Sequence, residues 1–446
     1  MLSKTSFTAI IKPTHDCNLD CSYCYVSKDA ERGTMDEDTL RNTINKIVQH
    51  NGKMKKTKII WHGGEPLLMG IEFYKKAIEI QRSLGEEFVI ENSIQSNGTL
   101  LTNEWLSFLT ENNIKIGLSL DGTKKIHNKN RMYQNNSGSF DETFKALKEI
   151  KETKKRGIGG GVIAVVTKDN IDNLKDIYNF YLNYNIHVKF NPLIFSEQEK
   201  LQKDLAVEPR EYAKKLIEIF DLWFFGNGEI NVDPLGEIVG NLLVKNTRSC
   251  TYSGTCQEDF ISIGPLGDVY PCGRFDGNEK YYLGNINNQS FCEIDISPAR
   301  QRLNRRSSDS IIECRSCDYK AICNSGCPHD ALSMCGDANK KTYYCLADKE
   351  LFKYIEGILH CELEKYEKVE MCSEECVNLL GHNVSLNNIQ NKVLKDIIEN
   401  RVNKATAMHW FDSNHTDHKE APSYRDHTDY SEHKEYNDYS CYSAAP

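Results

Sequence analysis

The chain has 446 residues, 39% of them hydrophobic, which is enough for two or three folded domains. No apolar run approaches the ~18 residues of a membrane helix and no export signal opens the sequence, so we expect a cytoplasmic protein without a membrane partner. The net charge of −9 disfavours nucleic acid as the main partner. Seventeen cysteines without an export signal favour metal ligation over disulfides, and exposed cluster thiolates suit an anaerobic cell.

Three cysteines follow the first predicted strand of the chain. They are Cys17, Cys21 and Cys24 in the sequence C-N-L-D-C-S-Y-C. Three thiolates can hold three irons of a [4Fe–4S] cube, which leaves the fourth iron open to another ligand. The alternative is a structural zinc knuckle, which needs a fourth ligand nearby, and His15 is the local candidate. The spacing favours the iron–sulfur interpretation.

Short β-type runs alternate with helix-length amphipathic stretches from Phe7 to about Leu193. Six strand–helix units predict a parallel sheet, and their number suits an α/β fold of the partial (β/α)6 TIM-barrel type. The predicted strands are Thr8–Lys12, Lys58–Trp61, Phe88–Ile94, Ile114–Ser119, Gly161–Val166 and His187–Phe190. The predicted helices are Glu37–Gln49, Ile71–Leu84, Asn103–Asn112, Phe140–Lys154 and Ile171–Tyr184.

Four loops that follow predicted strands carry motifs, and a barrel places all of them at one rim. They are Cys17–Cys24, His62–Pro66, Gln95–Gly98 and Ser119–Gly122. In H-G-G-E-P the glycines let backbone amides approach a ligand, and Glu65 adds charge for an ammonium group. The same motif is also an ordinary turn. Arg131 offers a planar guanidinium that can bind a carboxylate, and the alternative is a solvated surface charge. Ser119 offers a hydroxyl at a strand end, and the alternative is a hydrogen bond within a turn.

These motifs resemble the radical S-adenosylmethionine (radical SAM) superfamily. Over roughly residues 7–360 the chain is similar to anaerobic sulfatase-maturating enzymes and related peptide maturases. The likeness also rests on S-I-Q-S-N-G-T-L-L at 93–101, G-L-S-L-D-G at 117–122, His127 and Arg131. It implies that the open iron chelates S-adenosylmethionine (SAM). The residues implied to bind SAM are Tyr23, Gly63, Gly64, Glu65, Gln95, Asn97, Ser119, Arg131 and Leu193.

Cysteine and glycine become dense from Thr247 to Cys345, and regular periodicity weakens. A lone C-x2-C pair is as often a zinc site as anything else. Eight cysteines in the order found here resemble the SPASM domain, which carries two auxiliary [4Fe–4S] clusters, so we expect three such clusters in all. The resemblance implies one auxiliary set of Cys250, Cys256, Cys272 and Cys327, and a second set of Cys314, Cys317, Cys323 and Cys345. Outside this scheme lie Cys292, Cys335, Cys361, Cys372, Cys376 and Cys441.

One position departs from the sulfatase-maturating pattern. In that family an Asp that accepts a proton follows the third cysteine of the first auxiliary set, whereas here Cys272 is followed by Gly273 and Arg274. Asp276 lies nearby at a different offset and is a candidate catalytic residue; no other is assigned. Formylglycine formation needs a base, so the departure disfavours that reaction but not radical generation.

The resemblance implies an oxidoreductase that cleaves SAM reductively to a 5′-deoxyadenosyl radical, which abstracts hydrogen from a peptide or protein. We predict oxidative modification of a ribosomally made peptide, with crosslinking as the expected outcome. An electron donor such as flavodoxin or ferredoxin is expected. The alternatives are an anaerobic sulfatase-maturating enzyme, which forms formylglycine, and a non-catalytic metal-binding protein.

The predicted domains are a barrel (1–235), a SPASM domain (236–368) and an appendage (369–446) with a leader-like part at 377–403 and a core-like part at 409–446. The polar end of the appendage is expected to be disordered. It holds a twelve-residue repeat, 415–426 and 427–438, in which six positions match. We hypothesise that the appendage is a fused precursor peptide, modified at Tyr424, Tyr436 or Cys441. The alternatives are an idle tail and a metal-binding strand of His415, His418, His427 and His433.

Overall fold

The computed structural model describes residues 6–26, 33–152, 157–194, 204–226, 230–244, 247 and 249–360. Ten strands form one sheet in these residues. They are β1 (Ser6–Ile11), β2 (Lys56–Trp61), β3 (Val89–Ser96), β4 (Lys115–Ser119), β5 (Gly159–Val166), β6 (Val188–Pro192), β7 (Val232–Asp233), β8 (Phe260–Ile263), β9 (Asp268–Tyr270) and β10 (Gly284–Asn285). Their order across the sheet is β10-β9-β8-β1-β2-β3-β4-β5-β6-β7.

Strands β1 to β7 are all parallel to their neighbours, and they follow one another in chain order. All six predicted strands are present within two residues of their predicted starts. This confirms the predicted α/β fold, and the arrangement fits a partial TIM barrel.

Helices connect the parallel strands. They are α1 (Glu37–Asn51), α2 (Gly70–Ser83), α3 (Asn103–Glu111), α4 (Lys124–Asn130), α5 (Phe140–Glu152), α6 (Leu174–Asn183), α7 (Pro209–Phe224) and α8 (Leu235–Val244). Helix α1 shows why the pattern was readable. The side chain of Asp36 caps it by accepting from Thr39 N at 2.8 Å, and Leu40, Ile44 and Ile47 bury one face at helical spacing.

The sequence analysis missed α4, α7 and α8. Helix α4 reads K-K-I-H-N-K-N and lacks an apolar period. Helix α7, by contrast, buries Leu216, Ile219, Phe220 and Trp223 on one face, so its spacing was an available signal.

The cysteine-rich region continues the barrel sheet. Strand β8 pairs in parallel with β1, with Thr8 opposite Phe260, and β9 and β10 follow as antiparallel neighbours. These strands have four, three and two residues, too short for a period to show in the sequence. The predicted division at residue 235 is therefore not a break in the sheet.

Six short helices and one longer helix complete this region. They are α9 (Cys256–Asp259), α10 (Phe291–Asp295), α11 (Pro298–Asn304), α12 (Ile312–Arg315), α13 (Lys320–Cys323) and α14 (Pro328–Cys335), and α15 covers 345–360. One apolar core contains Ile11 of β1, Ile261 of β8 and Phe352 of α15, so both regions pack together. No helix in the described ranges has the length and apolar character needed to span a bilayer. Residues 361–446, with the predicted precursor peptide, lie outside the described residues.

Candidate active site

The three-cysteine loop lies against the glycine loop that follows β2. The backbone of Gly64 donates to Thr14 O at 3.0 Å, and that of Glu65 donates to Asp16 O at 2.8 Å. A Cβ on Gly63, where φ is +123°, would lie 2.2 Å from Thr14 O, and one on Gly64 would lie 2.1 Å from Asp16 O. The glycines thus let this loop approach the cysteine loop, a reason that the sequence analysis did not give.

Glu65 is fully buried and holds the glycine loop to the end of β3. Its carboxylate accepts from Ser96 Oγ at 2.8 Å, Leu67 N at 3.0 Å and Asn97 N at 2.8 Å. Burial raises the pKa of Glu65 to about 7. The side chain is not part of the cavity wall described below, so its predicted contact with SAM stays a prediction.

The thiols of the loop lie in an environment that disfavours their ionised form. Burial raises the pKa of Cys17 to about 11 and that of Cys21 to about 12. Asn97 Nδ2 lies 3.8 Å from Cys17 Sγ, and Arg131 Nη1 lies 4.0 Å from Cys21 Sγ. Iron binding would displace the thiol protons, and its positive charge would balance the negative charge of the thiolates. The donor set therefore fits an iron–sulfur cluster. In the described ranges no three His, Cys, Asp or Glu side chains stand close enough together to hold a single metal ion.

Asp121 organises the opposite side of the rim, at the end of β4. This buried carboxylate accepts from Tyr23 Oη and from Arg131 Nε, the latter at 3.2 Å, and its other oxygen accepts from Val165 N at 3.0 Å. The Arg131 guanidinium lies over the Tyr23 ring, 5.3 Å from its centre. Sequence reasoning quoted Asp121 within a motif but assigned it no function; its place at a strand end was the signal.

One cavity of about 260 Å³ joins the loops at the rim. The predicted site residues that line it are Cys17, Cys21, Cys24, Tyr23, Gly63, Gly64, Gln95, Asn97, Ser119, Arg131 and Leu193. Gln95 Nε2 donates to Ser119 Oγ at 3.1 Å, which links β3 to β4 at the cavity wall. All predicted SAM contacts except Glu65 therefore face one space.

Arg274 and His329 line the same cavity from the cysteine-rich region. Arg274 Nη1 donates to Asp330 Oδ1 at 2.9 Å and lies 3.8 Å from Cys327 Sγ. The His329 ring packs edge-on against Phe275, and burial lowers the pKa of His329 to about 3. Sequence analysis gave neither residue a function, although each lies two positions after a predicted ligand cysteine.

Asp276, the candidate catalytic residue, does not line the cavity. Its Oδ2 accepts from Lys12 Nζ at 2.7 Å and bonds His15 Nε2 at 2.9 Å. Burial opposes ionisation, but Lys12 and His15 outweigh it and hold the pKa of Asp276 below its usual value. A carboxylate so stabilised is a poor proton acceptor. A catalytic role for Asp276 stays a prediction.

The predicted auxiliary cysteines occupy two places in the described ranges, and their assignment to clusters stays a prediction. Cys314, Cys317, Cys323 and Cys345 line one small cavity. Cys327 lies instead on the side of Cys256 and Cys272, whose charges would raise its pKa, and Cys250 would act on Cys256 and Cys272 in the same way. In the described ranges the thirteen cysteines form no disulfide, and Cys292 is exposed outside both sets.

Comparison with protein families gives two matches along the chain. Residues 11–181 match the radical SAM superfamily, and residues 250–318 match the SPASM iron–sulfur cluster-binding domain. The matches fall on the barrel and on the cysteine-rich region.

Several sulfatase-maturating enzymes are similar over most of their length. The chain is 30% identical over 359 residues to the cysteine-type anaerobic sulfatase-maturating enzyme of Clostridium perfringens, covering 77% of this chain and 95% of the relative. It is also 30% identical over 364 residues to the serine-type enzyme of Bacteroides thetaiotaomicron, covering 76% of this chain and 86% of the relative.

Solved structures show the same fold. The structure of native anSMEcpe with bound AdoMet and Cp18Cys peptide superposes with a TM-score of 0.68 at 28% identity, covering 78% of this chain and 96% of that one. Streptococcus suis SuiB bound to precursor peptide SuiA shares the fold at 17% identity, with a TM-score of 0.55 over 76% of this chain and 75% of that one. The barrel, its three-cysteine rim and these matches lead to one conclusion. The chain belongs to the radical SAM superfamily, among the enzymes that carry a SPASM domain.

Proposed function

We propose that this enzyme oxidises a ribosomally made peptide. The main support for this proposal is the shared cavity. The three-cysteine rim forms one side of it, and Arg274 and His329 form the other. A substrate held there lies between the loop that would bind SAM and the thiols of the first auxiliary set. This placement suits a reaction that begins at one cluster and delivers an electron to another.

We propose three [4Fe–4S] clusters, at Cys17–Cys24 and at the two auxiliary cysteine sets. When bound, the first cluster and SAM supply a 5′-deoxyadenosyl radical that removes a hydrogen atom from a C–H bond, and the auxiliary clusters accept the electron released as the new bond forms. Flavodoxin or ferredoxin is the proposed electron donor, in the cytoplasm. We also keep the division into 1–235, 236–368 and 369–446 as a proposal, supported by the two family matches.

The residues of the rim would orient SAM before it reacts. Asp121 fixes Arg131 and Tyr23 in one hydrogen-bonded unit. The Arg131 guanidinium is therefore preorganised in one rotamer for binding a carboxylate. Gln95 likewise holds the Ser119 hydroxyl at the cavity wall. Leu193, which is 2% exposed, adds an apolar surface for a purine.

The proposed substrate is the chain's own appendage, 369–446, acted on in cis or by a neighbouring copy. Its aromatic residues recur at repeat spacing, and Tyr424, Tyr436 and Cys441 are the proposed targets. A tethered peptide reaches an effective concentration of about 1 mM when its linker spans the distance. A crosslink removes two hydrogen atoms from the peptide, one by abstraction and the other as a proton and an electron.

Formylglycine formation is the second candidate, and the 30% identity to sulfatase-maturating enzymes favours it. Against it stands Gly273, which places no carboxylate in the site. The carbonyl of Gly273 accepts from Lys12 Nζ at 2.8 Å, and a Cβ there would meet Ile10 and Lys12 at 3.5 Å, an ordinary contact. An Asp is therefore sterically allowed at this position, and its absence is a chemical difference.

Intact-protein mass spectrometry separates the two candidates. Anaerobically reconstituted enzyme, incubated with SAM and dithionite, is predicted to lose about 2 Da per bond formed, within a peptide from 361–446. Cys21→Ala protein is the control and is predicted to keep its mass. An unchanged mass of the tail, together with formylglycine in an added cysteine-containing sulfatase peptide, would establish the second candidate instead.

Gly273→Asp sharpens this distinction. The variant restores a carboxylate where the family has one, so it is predicted to convert the sulfatase peptide faster than the unmodified enzyme does. Conversion by the unmodified enzyme at the rate of the variant would show that the carboxylate is not needed.

A further inference from the structure

Arg306 is a buried arginine that forms no ion pair with a carboxylate among the described residues. Only 7% of it is exposed. Its Nε donates to Ala338 O at 2.7 Å, and its Nη2 donates to Ser325 O at 2.8 Å and Lys340 O at 3.1 Å. The carbonyls satisfy hydrogen bonds but carry no net charge, so they do not neutralise the guanidinium.

Three other arginines in the described ranges, which are buried or half-buried, have carboxylate partners. Arg131 pairs with Asp121 at 3.2 Å, Arg274 pairs with Asp330 at 2.9 Å, and Arg300 lies 3.4 Å from Asp295. Burying a charge without a counter-charge costs several kcal/mol. Asp330 is a carboxylate whose charge reaches Arg306, but it is paired with Arg274 and forms no ion pair with Arg306. Further negative charge near Arg306 would therefore stabilise its burial.

Arg306 lies between the two auxiliary cysteine sets. Its partner Ser325 stands between Cys323 of the second set and Cys327 of the first, two positions from each, and it lines the cavity of the second set. The electrostatic influence of Cys256, Cys327, Cys314 and Cys323 on the guanidinium agrees with this position. Arg300 by contrast interacts with Cys256 and Cys272, which belong to the first set alone. A [4Fe–4S] cluster with four thiolate ligands is an anion, so two such clusters would supply the charge that Arg306 lacks.

We propose that Arg306 is the shared counter-cation of the two auxiliary clusters and raises the reduction potential of both. Reduction adds one electron to a cluster and no proton, which makes the anion more negative. A fixed positive charge beside it stabilises the reduced form more than the oxidised form. Arg306 thus makes both clusters better acceptors for the electron released by the substrate. This inference rests on the proposed assignment of two auxiliary clusters.

A redox titration followed by electron paramagnetic resonance tests the proposal. The background is full-length protein with Cys17, Cys21 and Cys24 changed to Ala, so that only the auxiliary clusters are observed. Arg306→Gln is predicted to move both reduction waves to lower potential, and Arg306→Lys, which keeps the charge, to move them less. Arg305→Gln removes the same charge from an exposed neighbour and is predicted to move neither wave.

Arg300→Gln is the matched buried control and is predicted to move one wave at most. Full iron content with both potentials unchanged in Arg306→Gln, or a shift of one wave only, would overturn the proposal. If Arg306→Gln fails to fold, Arg306→Lys is measured instead. Arg300→Gln, which also removes a charge, sets the reference for the size of the drop in potential. A drop of that size in both waves of Arg306→Lys would overturn the proposal. Failure of the background protein to take up iron would overturn the cluster assignment itself.

Discussion

The barrel rim and the cysteine-rich region build their sites in different ways. At the rim, buried carboxylates hold the loops together: Glu65 joins the glycine loop to β3, and Asp121 joins Tyr23, Arg131 and β5. In the second region the helices from α9 to α14 have four to eight residues, and Cys314, Cys317, Cys323 and Cys345 line one small cavity. The rim is therefore organised by protein hydrogen bonds, whereas we expect bound clusters to contribute to the stability of the second region.

Removing one ligand from each region gives the largest expected effects. Cys21→Ala is predicted to reduce 5′-deoxyadenosine formation to the level without enzyme, because the loop then loses a ligand of the SAM-binding cluster. Cys317→Ala, the matched variant of the second region, is predicted to retain SAM cleavage but to lose the peptide product. Chromatography of 5′-deoxyadenosine and peptide mass measure both. If Cys21→Ala cleaved SAM at the wild-type rate, the predicted difference in function between the two regions would be wrong.

Asp121→Asn tests whether the rim is held by its buried ion pair. The variant leaves the Arg131 guanidinium buried without a counter-charge, so the free energy of unfolding is predicted to fall by about 3–5 kcal/mol. Urea unfolding followed by tryptophan fluorescence measures it. Asp141→Asn breaks the exposed pair with Lys124 and is predicted to change nothing measurable. An equal loss in the two variants would contradict this account.

Gly64→Ala tests the close approach of the two rim loops. The added Cβ meets Asp16 O at 2.1 Å, so we expect a loss of about 1–3 kcal/mol and less iron bound at the three-cysteine loop. Gly357→Ala, in α15, meets nothing within 4 Å and is predicted to leave stability unchanged or slightly higher. Iron content and thermal unfolding compare the two. Normal cluster assembly in Gly64→Ala would count against the packing argument.

Asp348→Asn gives the smallest effect and probes the second region by pH. Burial raises the pKa of Asp348 to about 7, although the hydrogen bond from Tyr252 opposes this. An acid with a raised folded pKa destabilises the fold as it ionises, so stability is lost between the unfolded value of about 3.9 and about 7. The free energy of unfolding, measured between pH 5.5 and 8, is predicted to fall less steeply with rising pH in the variant than in the wild type. Identical slopes would exclude Asp348 as the cause.

The rim was predictable because its residues follow regular elements. Six strands with clear periods place the loops, and the position of a residue after a strand end then indicates the cavity. Asn97 and Ser119 show this, since both line the cavity as expected. The bonding partners were not predictable, because Glu65 bonds Ser96, 31 positions later, and Asp121 bonds Val165, 44 positions later, and Tyr23, 98 positions earlier.

In the cysteine-rich region the sequence offered candidate ligands but no indication of the fold. The resemblance implied the two sets, and Cys314, Cys317, Cys323 and Cys345, which form the implied second set, line one space. The pairing of β8 with β1 gave no signal, because four residues cannot show a period. Asp276 was the nearest acid in the sequence, but its carboxylate binds Lys12, 264 positions earlier in the chain, and does not line the cavity.

The most direct test concerns the iron that the three-cysteine loop leaves open. Electron paramagnetic resonance of the reduced enzyme, before and after addition of SAM, reports whether the sulfonium compound binds that iron. The account predicts that SAM changes the spectrum in the wild type and in Cys317→Ala. A spectrum that SAM leaves unaltered in both would contradict it.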